Sequence, residues 1–346
     1  MEESGAGNSP VCELAIDMPW TLQKLRLDFW GGINEGVVFT GLITHVITSI
    51  VAAYRIALTL RTRRLTMKLT EDVVGSVENA NFLCLACQLA YLDEAEAIPK
   101  FRDQLGLNAK LISVDNTQVY IADSDEHIVV AFRGTEGPTT IDGLKDWLLT
   151  DAMNLLIVPE GRLGHDLAAA GVGAKFHKGF VDAIAEVWEP LKDFVEVKFK
   201  EMDRPLWVTG HSLGGALALF GAWLLKRRFI PVHQIYTYGA PMVGNQKACD
   251  AINREFSGII SRYANGNDPV PKLPGLSLIA NEFAHCNTER IVGSDPMTTL
   301  AQFLGGIGSK AVEGLLSGGL IDDVWKHVLD RVAAHSLDTY QSLLPK

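Results

Sequence analysis

PLWVTGHSLGGALALF, residues 205–220, decides the fold. An apolar β-type run, Leu206 to Val208, breaks at Gly210-His211-Ser212-Leu213-Gly214 and becomes helix-like. In a G-x-S-x-G corner the chain turns sharply from strand to helix and lifts the serine oxygen above the sheet edge. Glycines two residues to either side let it turn without a side-chain clash. The following helix aims its free N-terminal amides at the same place, where negative charge develops in acyl transfer. Small residues also meet by chance and then mark only a turn; here the strand before and the helix after supply the context of a nucleophile.

A serine nucleophile needs a base, and the base needs an orienting acid. Asp268 lies just past the strand-like run IISRYAN, in a loop held by Pro269, Pro271 and Pro274. An Asp-Pro pair is otherwise an ordinary turn. Two histidines follow, His285 and His335, and spacing leaves both open as the base.

Outward from the corner the pattern alternates. ENANFLCLACQLAYL (78–92) reads as a buried helix, and AKLISV, QVYIAD and HIVVAFRG as successive strands separated by Asp, Asn and Ser turns. A long helix covers 179–202, interrupted only by Pro190. After the corner come the strand QIYTYGAP, the helix NQKACDAINREF and the strand IISRYAN. Strands alternating with helices predict an α/β fold, a mainly parallel sheet covered on both faces.

These blocks, in this order, resemble the class 3 lipases, the family of fungal triacylglycerol lipases and related plant and bacterial acyl hydrolases. The resemblance covers about residues 75–346. It rests on AFRGT (131–135), DWLLTDAM (146–153), FHKGFVDAI (176–184), VTGHSLGGALALF (208–220), TYGAPMVGN (237–245), NGNDPVPKLP (265–274), FAHCNTE (283–289) and AHSLDTYQSLL (334–344). It implies an α/β-hydrolase fold and a Ser212–His335–Asp268 triad, with FAHCNTE resembling the block whose histidine is structural. It implies an oxyanion hole from the backbone N–H groups of Thr135 and Leu213. His177 and His211 are expected to be structural and loop-shaping, and Arg133 to anchor its loop. No metal or organic cofactor is implied. The expected activity is hydrolysis of lipid esters, acylglycerols first, with a phospholipase A-type enzyme or general carboxylesterase as alternative. A non-catalytic, membrane-attached binding protein on the same fold is the remaining reading.

Two inserts depart from the family pattern as it is read here. EGPTTIDGLKDW (136–147) carries Gly137-Pro138 and Gly143 as hinge candidates for a flap, and PEGRLGHDLAAAGVGAK (159–175) precedes the His177 block. The bland reading is two variable surface loops.

Residues 1–70 have no counterpart in the minimal lipase domain, expected at 71–346. GVVFTGLITHVITSIVAAY (36–54) has no charged residue, and Arg55, Arg61, Arg63, Arg64 and Lys68 follow it. As a helix its nineteen residues reach about 28 Å, just enough for a bilayer core. Spanning would leave residue 55 onward on the cytoplasmic side. The stripe of apolar residues opposite Thr40, Thr44, His45, Thr48 and Ser49 equally suits an amphipathic helix docked on the domain or lying in the membrane interface. The expected location is therefore membrane-associated, through 36–60, or cytoplasmic. The acidic MEES start is not that of a cleavable signal. From about 297 the chain is apolar and Gly-rich, and its GG pairs predict short helices.

A formal charge of −10 without a basic block argues against nucleic acid as the partner. Five cysteines, an odd number, do not suggest a disulfide framework. Cys84 and Cys87 form a C-x-x-C inside a helix pattern and are expected to pack rather than bind metal. The sequence leaves the oligomeric state open.

Overall fold

The computed structural model describes residues 68–134, 156–272, 283–293 and 332–345. The extension expected to hold the 36–60 helix, the insert 136–147 and most of the tail from 297 lie outside the described residues. Among those residues no helix is long and apolar enough to cross a membrane.

The described residues open with α1 (Val77–Ala90), started by Ser76, whose hydroxyl accepts from Asn79 N at 3.1 Å. Then come α2 (Glu94–Lys100), β1 (Asn108–Val114), β2 (Thr117–Asp123) and β3 (Ile128–Phe132). These strands form an antiparallel meander, β1 with β2 and β2 with β3. After β4 (Leu156–Ile157), α3 (Gly164–Ala168) and β5 (Phe176–His177), the long helix α4 (Lys178–Glu201) crosses back. It runs unbroken through Pro190, which is exposed, so water can take up the backbone carbonyl that proline leaves unbonded.

The parallel part follows: β6 (Leu206–His211), α5 (Leu213–Arg227), β7 (Gln234–Tyr238), β8 (Gly244–Asn245), α6 (Gln246–Glu255) and β9 (Ile260–Asn265). The described chain closes with β10 (Phe283–Ala284), β11 (Glu289–Val292), α7 (Val332–His335) and α8 (Leu337–Leu343). The central sheet has seven strands, ordered β1-β2-β3-β6-β7-β9-β11, and is parallel from β3 onward. The expected mainly parallel sheet is thus present, with an antiparallel edge that alternation alone did not announce. A second sheet, β10-β8-β5-β4, is made of two-residue strands. So short a strand shows no period and leaves no trace in a sequence pattern.

Period-two alternation divides the core into two layers. Val119, Ile121, Ile128, Val130, Phe132, Leu206, Val208, Ile235 and Ile260 face α4, α5 and α6. Tyr120, Ala122, Val129, Ala131, Trp207, Tyr236, Tyr238 and Tyr263 face α1 and α8. Strand β3 is fully buried on both faces, which a central strand requires. Each such Val or Ile contributes about 1.5–3 kcal/mol by burial. Cys84 and Cys87 are buried in the second layer, and Cys87 Sγ lies 3.2 Å from Thr209 Oγ1. The insert 159–175 is more than a surface loop: Leu163, Leu167, Ala170 and Ala174 join the first layer.

Candidate active site

The corner between β6 and α5 is a strained one. Ser212 has φ 57° and ψ −130°, a region that costs a side-chain-bearing residue on the order of 1–3 kcal/mol. Its amide donates to Tyr238 O at 2.9 Å, tying the turn to β7. Glycine is obligatory on both sides, since a Cβ on Gly210 would meet the Gly214 carbonyl, and one on Gly214 the Phe132 carbonyl. Leu213 heads α5, where a backbone N–H has no acceptor within its own helix. Thr135, the other expected donor, lies outside the described residues.

Asp268 follows β9 and is completely buried. A buried carboxylate needs donors, and among the described residues three serve it. Oδ1 accepts from Val270 N at 2.9 Å, and Oδ2 accepts from His335 Nδ1 at 2.8 Å and from Tyr340 OH at 2.7 Å. Tyr340 OH in turn accepts from Asn265 N at 2.9 Å, and Asn265 Nδ2 donates to Ala334 O at 2.8 Å. The end of β9, the acid and the α7–α8 corner are thus one hydrogen-bonded unit. The carboxylate fixes the proton of His335 on Nδ1. The opposite nitrogen, Nε2, is buried and makes no hydrogen bond among the described residues.

A second histidine supports the first. His211, next to Ser212, donates from Nε2 to His335 O at 2.7 Å, so its Nδ1 accepts from Tyr91 OH at 2.8 Å. Its ring centroid lies 4.5 Å from that of His335. Burial, and then His335, hold His211 well below the usual imidazole range, so it stays neutral.

The other histidines are elsewhere. His285 turns its Nε2 to the Pro271 carbonyl. Burial, followed by the nearby Arg262 guanidinium, pushes it down to about 3. His177 is fully buried, stacks at 4.0 Å on Phe180 and makes no ring hydrogen bond among the described residues; burial pushes it down to about 3 as well. Arg133 donates from Nη1 to Gln118 Oε1, across the β2–β3 pair. Among the described residues no group of three or more His, Cys, Asp or Glu stands together as a metal site.

Sequence reasoning brought forward Ser212, Asp268 and His335 but not Asn265, Tyr91 or the hydroxyl of Tyr340. Tyr340 lies five residues beyond His335, on the next turn of chain, and a lone tyrosine after a histidine carries no pattern. Asn265 at a strand end reads as an ordinary turn residue.

The sheet, its helices and the serine corner define an α/β-hydrolase fold. Residues 129–278 match the family model described as lipase (class 3). The chain is 30% identical over 183 residues to secreted mono- and diacylglycerol lipase 3 of Gibberella zeae, which covers 51% of this chain and 54% of that one. It is 29% identical over 160 residues to the chloroplastic phospholipase A(1) DAD1 of Arabidopsis thaliana, covering 44% of this chain and 34% of that one. Among solved structures, a triacylglycerol lipase with a serine protease triad as its catalytic centre is 26% identical, with a TM-score of 0.50, over 63% of this chain and 80% of its own. The chain spans about a third to a half of the length of the first of its curated relatives. Its similarity to the class 3 lipase family lies over residues 129–278.

Proposed function

We propose that the protein is a serine hydrolase of carboxylic esters of lipids, acylglycerols first, working through Ser212, His335 and Asp268 and an acyl-enzyme. One observation carries the reading: a buried carboxylate holds His335 by Nδ1 while Nε2 makes no hydrogen bond among the described residues. In the proposed reaction Nε2 takes the proton of Ser212 Oγ as that oxygen attacks the ester carbonyl. The carbonyl carbon becomes tetrahedral and its oxyanion rests on the amides of Leu213 and Thr135. The imidazolium returns the proton to the leaving alcohol. Water, deprotonated by the same nitrogen, then attacks the acyl-serine and releases the fatty acid. Asp268, with Tyr340 and Val270 as further donors, keeps its charge beside the imidazolium instead of taking the proton. Neutral His211 lies against His335 without adding a like charge.

Relatives named as mono- and diacylglycerol lipases support the acylglycerol reading. A relative named phospholipase A(1) supports a phospholipid as the second one. The apolar run 36–60 would suit a protein that meets its substrate at a membrane surface. Ser212→Ala should abolish hydrolysis of p-nitrophenyl acyl esters and labelling by a fluorophosphonate probe while the protein stays folded. Retained hydrolysis sinks the reading, and an unlabelled Ser212 in the parent protein favours a non-catalytic binding protein. A panel of head groups and chain lengths separates acylglycerol from phospholipid. Alkaline carbonate extraction of native membranes tests attachment: release with the peripheral fraction excludes a spanning helix.

A further inference from the structure

Two cysteines outside the candidate site face each other. Cys249 is in α6, and Cys286 lies between β10 and β11. Their sulfurs are 3.2 Å apart, and both side chains are buried. Cys286 donates to Cys249 Sγ, which donates in turn to the Ala284 carbonyl at 3.2 Å. We propose that Cys249 and Cys286 are a disulfide-forming pair, joined when the chain folds under oxidising conditions, and that the bond braces the loop carrying Asp268.

The geometry asks for little movement. A disulfide has its sulfurs about 2.05 Å apart, so side-chain rotation by roughly 1 Å closes the gap. The backbone around the pair is already fixed from both sides. Asn287, at φ 64°, donates from its amide to Asn253 Oδ1 of α6 at 2.8 Å, and its carbonyl accepts from Arg262 Nε at 3.3 Å. Arg262 Nη2 reaches Glu289 at 3.2 Å, while its Nη1 is buried with no hydrogen bond among the described residues. Cys84 and Cys87 are placed differently, three residues apart on α1 with Cys87 against Thr209.

The location gives the bond a purpose. Cys286 follows His285, whose Nε2 holds the Pro271 carbonyl, three residues past Asp268. A covalent tie from α6 to Cys286 therefore fixes the far anchor of the acid's loop. Its timing follows from burial, which pushes the Cys286 thiol well above its ordinary range, so the folded dithiol is inert and the bond is made as the chain folds. With oxidised glutathione as the oxidant, one cysteine thiolate attacks a glutathione sulfur and expels one reduced glutathione. The second cysteine then attacks the protein sulfur of the mixed disulfide and expels the other. Two electrons and the two thiol protons end on the two glutathiones.

The test uses the full chain, unfolded with all thiols reduced and refolded either in a buffer of oxidised and reduced glutathione or in dithiothreitol. Free thiols are then alkylated, and peptides are mapped without reduction. The expected product from the glutathione arm is the Cys249 peptide joined to the Cys286 peptide, two hydrogens lighter than the separate pair. Its thermal midpoint should exceed that of the reduced protein by about 5–10 °C, the gain for closing a loop of this length in a domain of this size. Cys286→Ala should remove that difference. Alkylation of both Cys249 and Cys286 after oxidative refolding, or their bonding to Cys12, Cys84 or Cys87, overturns the pairing. A joined pair with an unchanged midpoint overturns the bracing. Because the two refolding arms compare one sequence, the test survives even a variant that fails to fold.

Discussion

Gly239 offers a way to disturb the acid–base contact without touching either partner. It sits at φ +60°, and a Cβ there would lie 2.9 Å from Asp268 Oδ2 and 3.0 Å from both Cε1 and Nδ1 of His335. In Gly239→Ala the methyl is driven into the hydrogen bond between carboxylate and imidazole. Two costs can be separated. The left-handed backbone costs a residue with a Cβ about 1–2 kcal/mol, a loss of stability with no chemical content. The wedge is the second cost. Ordinary contact begins at 3.4 Å, so the two side chains must retreat by roughly 0.4–0.5 Å; a misplacement of about 1 Å costs on the order of 10²-fold in rate, and half of it about tenfold. Gly258→Ala is the control, because Gly258 has φ +79° and open space around the position of a Cβ. The assay is kcat and KM on a p-nitrophenyl acyl ester, with urea unfolding of each variant. Both variants should lose about 1–2 kcal/mol of stability, and Gly239→Ala alone about tenfold in kcat. Equal kcat in the two variants would refute the claim that the Asp268–His335 contact governs turnover.

Further outcomes follow from the same contacts. His335→Ala should cost on the order of 10⁴-fold or more in kcat, whereas His285→Ala should keep most of the turnover and lose about 1–3 kcal/mol of stability as the Pro271 carbonyl loses its partner. The reverse pattern in an esterase assay would exchange their roles. Tyr340→Phe strands the Asn265 amide and removes a donor from Asp268. Urea unfolding should show a loss of about 2–4 kcal/mol, and an unchanged midpoint would contradict the hydrogen-bonded unit. Burial pushes His177 down to about 3, against an ordinary imidazole value of 6.5. The unfolded chain therefore binds the extra proton first. Stability from this group is complete above pH 6.5 and falls by about 1.4 kcal/mol per pH unit as the pH drops toward the folded value. In His177→Phe the unfolding free energy should depend less steeply on pH across that window; an identical slope would show that the acid limb comes from other groups.

The sheet was legible wherever a strand was long enough to repeat. IVVAF, LWVTGH and QIYTY announce themselves by composition, and the serine corner by its glycines. The direction of pairing was not legible, because β1 and β2 have the same kind of composition whether they run parallel or antiparallel. Ser212, Asp268 and His335 could be nominated in order, but spacing left His285 equal to His335 until ordered blocks were compared. What the sequence does not carry is who touches whom across distance. The hydroxyl of Tyr340 meets Asn265 across 75 residues, and Cys286 meets Cys249 across 37. Neither pair shows a local period, and each exists only because the fold brings distant helices, loops and strand ends together.

The two faces of the sheet also differ optically. Every tyrosine among the described residues, Tyr91, Tyr120, Tyr236, Tyr238, Tyr263 and Tyr340, packs on the α1–α8 side, with Tyr238 and Tyr263 stacked at 5.5 Å. Trp188 and Trp223 belong to the opposite layer, while Trp207 lies with the tyrosines. The tyrosine bands of the near-ultraviolet dichroism are therefore a built-in reporter of one layer, the one that carries Tyr340 to the acid. Loosening of that layer is visible by its own chromophores, with no label added.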